Sequence, residues 1–138
     1  MKVVLDVNIL VSGYNFDGVQ REIIHQWNEL AFELCISDHI IETFDDVLRR
    51  PYFARLASDA QREGYLMRLR RRAILVGPIH DVHGVADDDE DDLILATAVA
   101  ARADVLVTGD KGLLHLREFR NIPIITSRTF LDMLPGLS

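Results

Sequence analysis

Five short apolar runs rich in β-branched residues alternate along the chain with segments of helical periodicity, and this alternation constrains the fold most. The runs are KVVLDV, ELCIS, AILVG, ADVLVTG and IPIITS. Such runs are typical of strands that are covered on both faces, and strands that alternate with helices favour a parallel sheet. We therefore predict a three-layer α/β/α sandwich with a mostly parallel central sheet. A length of 138 residues suits a single domain over residues 1–138.

The segments between these runs have the periodicity and the end signals of amphipathic helices. Ser58 and Gln61 have the spacing of a capping box, and Pro51 stops the helix before it. DDLILATAVAARA is predicted to be an alanine-rich helix, and KGLLHLREF and SRTFLDML two short final helices. The periodicity predicts two buried stripes, formed by Val19, Ile23, Trp27 and Leu30 in the first helix and by Ile40, Ile41, Phe44, Val47 and Leu48 in the second.

Acidic and polar side chains follow two of the predicted strands. Asp6 and Asn8 come at the end of the first strand, and Asp110 follows the strand ADVLVTG, just after Thr108. In open parallel sheets, ligands bind beyond the carboxyl ends of the strands, so we expect Asp6 and Asp110 at the mouth of one crevice. A purely structural interpretation is also possible. Either Asp6 or Asn8 would be the N-cap of the first helix, and Asp110 would be the N-cap of the helix after it.

A third acidic group, DDDEDD, leads into the alanine-rich helix, which Asp91 and Asp92 open. The helix dipole favours acids in a first turn, and this would explain any one of the six. Several carboxylates packed together are unfavourable unless water screens them or a cation neutralises them. Mg²⁺ prefers such oxygen ligands. The three groups of acids together therefore predict a site for a hard divalent cation.

Other residue patterns argue against several kinds of active site. The five His residues are scattered, without the spacing that would place two imidazoles on one zinc ion. The sequence contains no P-loop, dinucleotide-binding or serine-hydrolase motif. Glu42 is a further candidate acid, although it points away from the apolar stripe of its helix and has the pattern of a solvated residue.

Charge is strongly segregated along the chain. Eight of the fifteen basic residues lie between positions 49 and 72 with only two acids, whereas positions 81–92 hold seven acids and no Lys or Arg. The net charge of −7 argues against a protein that simply wraps a polyanion, so the segregation suggests two functional surfaces. The alternative is a solvated arginine-rich helix face and a disordered acidic loop.

The sequence favours a cytoplasmic protein. Its single cysteine, Cys35, cannot form an internal disulfide, which fits a reducing compartment. No apolar stretch approaches the length of about 18 residues that a membrane span needs. Asp6 interrupts the first apolar run, so we expect no signal peptide.

Three motifs, in this order, resemble a PIN domain: LDVNILVSG, the acidic run leading into DDLILATAVAARAD, and LVTGDKGLL. The resemblance extends over essentially the whole chain and includes IPIITSRTFLDML as the closing strand and helix. It is closest to small bacterial PIN proteins that are toxin components of toxin–antitoxin pairs, related to VapC toxins. It implies a Rossmann-like α/β/α sandwich and a Mg²⁺- or Mn²⁺-dependent ribonuclease site made of three or four acids.

The resemblance assigns roles to residues that match the family's motifs. The metal-binding and catalytic acids are expected at Asp6, Asp91 and Asp110. Supporting roles are expected of Asn8, Thr108, Asp88 and Asp92, of which the last two could assist or replace Asp91.

The fourth acid of the family departs from its usual position here. Relatives often have a glutamate directly before a large apolar residue of the helix, whereas in this chain Thr43 precedes Phe44. Glu42 lies one position earlier, about 100° round the helix. Glu42 is therefore the expected fourth acid, with Asp46 as its substitute.

The resemblance also implies partners, namely an RNA substrate, a cognate antitoxin protein and a second copy of the chain in a homodimer. Because an acidic site repels RNA, basic residues elsewhere must attract it. Five arginines are expected to contact either RNA phosphates or an acidic segment of the antitoxin: Arg49, Arg50, Arg70, Arg71 and Arg72.

Two other functions stay open at this point. A PIN-like module that has lost catalysis would bind RNA or protein only, which would fit the displaced Glu42 and the acidic net charge. A phosphoacceptor receiver domain also carries acids at strand ends, but it needs an Asp after the third strand, where this chain has Gly77 and Pro78. Metal binding is expected of a receiver and of an active PIN nuclease, and RNA cleavage only of the nuclease.

Overall fold

A computed structural model of the protein describes residues 1–77, 82, 84–86 and 89–135. The strands in these ranges are β1 (Lys2–Leu5), β2 (Glu33–Ser37), β3 (Ile74–Val76), β4 (Val105–Val107), β5 (Glu118–Phe119) and β6 (Ile122–Ile125). The helices are α1 (Val7–Asn15), α2 (Val19–Asn28), α3 (Asp38–Leu48), α4 (Pro51–Ala54), α5 (Asp59–Arg72), α6 (Asp89–Ala101), α7 (Lys111–Leu116) and α8 (Ser127–Met133).

The strands form one sheet in the order β3-β2-β1-β4-β6-β5, parallel except for the pair β5 and β6. Val4 of β1 is in register with Cys35 of β2 and with Leu106 of β4. The chain runs outward from β1 to β3 and then crosses to the other side of β1 to form β4. This reversal places a topological switch point between β1 and β4, where open α/β sheets bind ligands.

The handedness of the crossovers determines on which face of the sheet each helix lies. Parallel strands are joined by right-handed crossovers, so helices that connect β1, β2 and β3 lie on one face and α6, which leads back to β4, lies on the other. In agreement, α1 packs against α2 and α3, while α6 packs against β1, β2 and β3. Both faces of the central strands are therefore covered, and Val3, Val4 and Leu106 are fully buried. The predicted α/β/α sandwich with a mostly parallel sheet is confirmed.

The predicted boundaries hold for most elements. All five apolar runs form strands, and the stripe of α3 is buried at every predicted position. Ser58 and Gln61 form the predicted capping box at the start of α5. Pro51 is the first residue of α4, where its missing N–H costs nothing.

Two sequence-based predictions were wrong. Leu30 was placed on the apolar stripe of the second helix, but α2 ends at Asn28 and Leu30 is 82% exposed with a φ of 63°. The segment KGLLHLREF was predicted to be helical throughout, but α7 ends at Leu116 and the next residues form β5. The turn from β5 to β6 has positive φ at both Arg120 and Asn121, as a tight hairpin of matching twist requires. The asparagine was the only local signal for this hairpin.

Among the residues that the model describes, no helix is both long and apolar enough to cross a membrane.

Candidate active site

Asp6 follows β1 directly and is fixed by hydrogen bonds on both carboxylate oxygens. Its Oδ1 accepts from the backbone N–H of Val7 at 2.7 Å, and its Oδ2 accepts from the hydroxyl of Thr108 at 2.6 Å. Its own backbone N–H donates to the carbonyl of Val107 at 2.9 Å. Asp6 is therefore both the N-cap of α1 and a carboxylate held against the end of β4.

Thr108 connects the ends of the two central strands. Its buried hydroxyl donates to Asp6 and accepts from the backbone N–H of Asp110 at 3.0 Å. The Oδ2 of Asp110 in turn accepts from the backbone N–H of Leu113 at 2.9 Å, which makes Asp110 the N-cap of α7. The cap role and the site role proposed from the sequence are thus compatible, because each carboxylate caps a helix and still borders the crevice.

A cavity of about 280 Å³ lies where these strand ends meet α3 and α6. It is lined by Asp6, Val7, Asn8, Thr43, Val47, Arg50, Glu90, Asp91, Ile94 and Asp110. Three acids predicted from separate motifs, Asp6, Asp91 and Asp110, therefore share one cavity, and Asn8 lies beside them. The two predicted supporting residues of the strand ends, Asn8 and Thr108, are both at this site.

Two larger cavities adjoin this one through shared residues. A cavity of about 680 Å³ shares Asp91 and Asp110 and extends to Lys111 and His115. Another of about 470 Å³ shares Asn8 and Asp110 and extends to Gln20. The acids thus border three adjoining cavities that share Asn8, Asp91 and Asp110.

The electrostatics of Asp6 favour a cation at this position. Burial raises the pKa of Asp6 above its ordinary value, because the charged carboxylate loses hydration, and the negative charges of Asp110 and Glu90 raise it further. The hydrogen bonds from Thr108 and Val7 act in the opposite direction. Carboxylates that destabilise one another in this way are neutralised by a hard cation, which prefers oxygen ligands.

The residue types therefore fit a divalent metal ion, but the site is not closed around one. Within the described ranges, no three Asp, Glu, His or Cys side chains are arranged to hold a metal ion together. Water molecules would therefore complete the coordination of a bound Mg²⁺, which usually takes only one or two carboxylates directly.

A family model described as PIN domain matches residues 2–112. The chain belongs to the PIN domain family. No curated protein sequence matches it. Among solved structures, it is similar to a chain of VapBC2 from Rickettsia felis, crystallised bound to a DNA fragment from their promoter. The two chains are 17% identical with a TM-score of 0.59, and the match covers 91% of this chain and 98% of the other. At this identity the likeness supports the fold.

In this PIN domain the predicted helical acids lie outside the cavity. Glu42 and Asp46 of α3 are exposed and do not line it, and α3 contributes Thr43 and Val47 instead. The periodicity of α3 had already indicated a solvated Glu42, and the structure agrees with that interpretation. The carboxylate that does line the cavity is Glu90, one residue before Asp91, which the sequence analysis did not single out. Its spacing of four residues from Ile94 places both on one helix face.

Asp92 lies in a different environment from its neighbour Asp91, which lines the cavity. Asp92 is buried, and its carboxylate accepts hydrogen bonds from the backbone N–H groups of three consecutive residues, Gly84 (2.8 Å), Val85 (3.2 Å) and Ala86 (2.7 Å). Both oxygens thus accept hydrogen bonds from residues 84–86, and Asp92 does not line the acidic cavity; its expected assistance of Asp91 stays a prediction. Asp88, the other predicted assistant, lies outside the described residues.

The five predicted contact arginines separate into two groups. Arg50 lines the acidic cavity, and Arg49 beside it pairs with Asp45 at 3.1 Å. Exposed Arg70, Arg71 and Arg72 end α5 immediately before β3, at the amino end of that strand. None of the three lines the acidic cavity, and Arg70 and Arg71 line a second cavity with Asp45, the partner of Arg49.

Proposed function

We propose that this PIN domain protein is a metal-dependent endoribonuclease that hydrolyses phosphodiester bonds with Mg²⁺ or Mn²⁺, and that it is the toxin of a toxin–antitoxin pair. The observation that carries the proposal is the shared cavity of Asp6, Asp91 and Asp110, which come from β1, α6 and the end of β4. Convergence of three acids from distant elements is not needed for helix capping alone, and it matches the donor set of a divalent ion.

The roles of the side chains follow from how firmly each is held. Asp6 and Asp110 would be the primary ligands, because Thr108 and the helix caps fix both. Asp91 would complete the set from α6. When bound, the ion supplies a coordinated water of lowered pKa and polarises the scissile phosphate. Arg50 on the cavity wall offers a charged, planar donor set for a phosphate oxygen.

Cleavage of a single-stranded RNA with Mg²⁺ or Mn²⁺ and with chelator tests the proposal directly. We expect cleavage with either metal, loss of cleavage in chelator, and loss of most activity in Asp6→Asn and Asp110→Asn. Asp46→Asn is the matched control, because it removes one exposed carboxylate outside the cavity and should leave cleavage unchanged. Cleavage that survives chelator or the Asp110→Asn change would contradict the proposal. A parallel single-stranded DNA substrate separates RNA specificity from general nuclease activity.

The proposed partners rest on different support. The VapBC2 chain, which has the same fold, was crystallised as part of a complex bound to DNA, and this supports a cognate antitoxin for the present protein. We propose that the antitoxin binds with an acidic segment on the exposed triplet Arg70, Arg71 and Arg72, and that the protein forms a homodimer. Light scattering of the purified chain tests the homodimer, which a monomer would contradict. Anisotropy of a labelled acidic peptide tests the antitoxin surface, and equal binding to the wild type and to the variant with Arg70, Arg71 and Arg72 changed to Glu would contradict it.

A second candidate function has one observation in its favour. A PIN-like module would bind RNA or protein without cleaving it. This function would fit the lining of the cavity, to which α3 contributes Thr43 rather than an acid, and the lack of three clustered metal ligands among the described residues. Such a module would bind RNA in the cleavage assay and leave it intact with both metals. A receiver-like function has no corresponding support, since β3 ends in Val76 followed by Gly77, with no acid there.

A further inference from the structure

The wall of the acidic cavity that α3 forms carries no carboxylate. Thr43 and Val47, four residues apart, face the cavity, and His39 lies one turn earlier on the same helix face. Glu42 and Asp46 are exposed and outside the lining. Any carboxylate on this side of the cavity therefore comes from another element.

Glu90, in the first turn of α6, is the residue placed to supply it. It lines the same cavity as Asp6, Asp91 and Asp110, and its charge acts on Asp6. Its Oε2 lies 3.3 Å from Nε2 of His39. Through this contact with His39, Glu90 lies beside the face of α3 that borders the cavity. His39 is one helical turn from Thr43 on that face.

The contact with His39 is close but incomplete. Nε2 of His39 is buried and makes no hydrogen bond within the part of the chain that the model describes, although Glu90 is within ion-pair distance. In the tautomer that carries its proton on Nε2, His39 would donate to the Glu90 carboxylate and hold it beside α3.

We propose that Glu90, positioned by His39, is the fourth acidic group of the metal site and takes the place of the helical acid expected on α3. The inference rests on the proposed function, since it assigns a residue to the divalent-metal site. His39 is a positioning residue that acts through Glu90. In this arrangement two consecutive residues of α6, Glu90 and Asp91, face Asp6 and Asp110 across the cavity.

Calorimetric titration of the metal-free protein with Mn²⁺ tests the assignment without depending on cleavage. We expect Glu90→Gln to raise the dissociation constant about tenfold or more. Glu42→Gln is the matched control, because it removes the same charge from an exposed residue of α3 and should bind Mn²⁺ like the wild type. The double variant Glu90→Gln with Thr43→Glu returns a carboxylate to α3, and we expect it to recover much of the affinity.

Two variants of His39 test its positioning role. His39→Phe keeps an aromatic ring and removes the nitrogen, and we expect weaker Mn²⁺ binding. His39→Gln restores a nitrogen donor near the position of Nε2, and we expect it to recover affinity, which a purely packing role would not predict.

The outcomes separate this inference from the proposed function. Suppose that the wild type binds Mn²⁺ and that Glu90→Gln binds it with the same affinity, or that Glu42→Gln loses as much affinity as Glu90→Gln. Either result would overturn the inference and leave the metal site in place. Wild-type protein that does not bind Mn²⁺ would contradict the proposed function and the inference together. Thermal unfolding of each metal-free variant shows whether it is folded.

Discussion

At the scale of single residues, we expect the buried carboxylate of Asp6 to lower the stability of the metal-free protein at neutral pH. Its pKa in the folded state is raised, first by burial and then by the charges of Asp110 and Glu90. A group with a raised folded pKa binds its proton more tightly in the folded chain. Stability therefore falls as the pH rises from the unfolded value of 3.8 through the folded pKa, and the penalty is fully present above it.

The change Asp6→Asn should remove this penalty. An amide can keep both contacts, because its oxygen can accept from Val7 and its NH₂ group can donate to the Thr108 hydroxyl oxygen. We expect the melting temperature of the metal-free variant at neutral pH to equal or exceed that of the wild type. We also expect stability to decline less between acidic and neutral pH. A large loss of stability, measured by thermal unfolding across pH, would show that Asp6 is structural rather than a metal ligand.

Thr108 should be needed for structure as well as for the site. Thr108→Val preserves shape but removes the donor to Asp6 and the acceptor for the Asp110 N–H. Because buried polar groups then lose their partners, we expect the free energy of unfolding to fall by about 1–3 kcal/mol. Thr108→Ser keeps the hydroxyl and is the matched control. Equal stability of the two variants in urea denaturation would mean that the hydroxyl contributes little.

At the scale of secondary structure, we expect the adjacent acids Asp91 and Asp92 of α6 to have separate roles, and one pair of variants tests this. Asp92→Ala leaves the N–H groups of residues 84–86 without their acceptor, so we expect a loss of about 1–3 kcal/mol in the free energy of unfolding. We expect faster proteolysis of that loop as well. Asp91→Asn, which keeps the size of the side chain, should leave the protein folded and remove cleavage. If Asp91→Asn unfolds the protein and Asp92→Ala does not, the two roles are reversed.

Elements with strong periodicity could be predicted from sequence, and those set by backbone geometry could not. The convergence of Asp6 and Asp110 followed from the rule that parallel strands end at one edge. The hairpin of β5 and β6 was missed because it depends on positive φ at Arg120 and Asn121, which an arginine does not signal. Glu90 was missed because the sequence does not tell which residue of an acidic run faces α3. The motif comparison favoured Glu42, whereas the periodicity of α3 correctly placed it in solvent.

At the scale of the whole molecule, the proposed RNA substrate is a polyanion, whereas the protein carries a net charge of −7. The local arrangement of basic groups therefore matters more than their number. Arg62 is buried against Asp45 and Asp59, and Arg68 donates to Asn28, so part of the basic segment is occupied inside the fold. Arg50 and Lys111 line the same cavities as the acids and would contact the proposed RNA substrate.

This arrangement predicts that the arginines act in two separate places. We expect Arg50→Ala to weaken binding of single-stranded RNA and to reduce the slope of log affinity against log salt by about 1, because one phosphate contact is lost. The triple change of Arg70, Arg71 and Arg72 to Glu should leave that slope nearly unchanged, since none of the three lines the acidic cavity, and should weaken antitoxin binding. Fluorescence anisotropy over a salt series measures both. If only the triple variant loses RNA affinity, the substrate path runs over α5 and away from the cavities that the acids line.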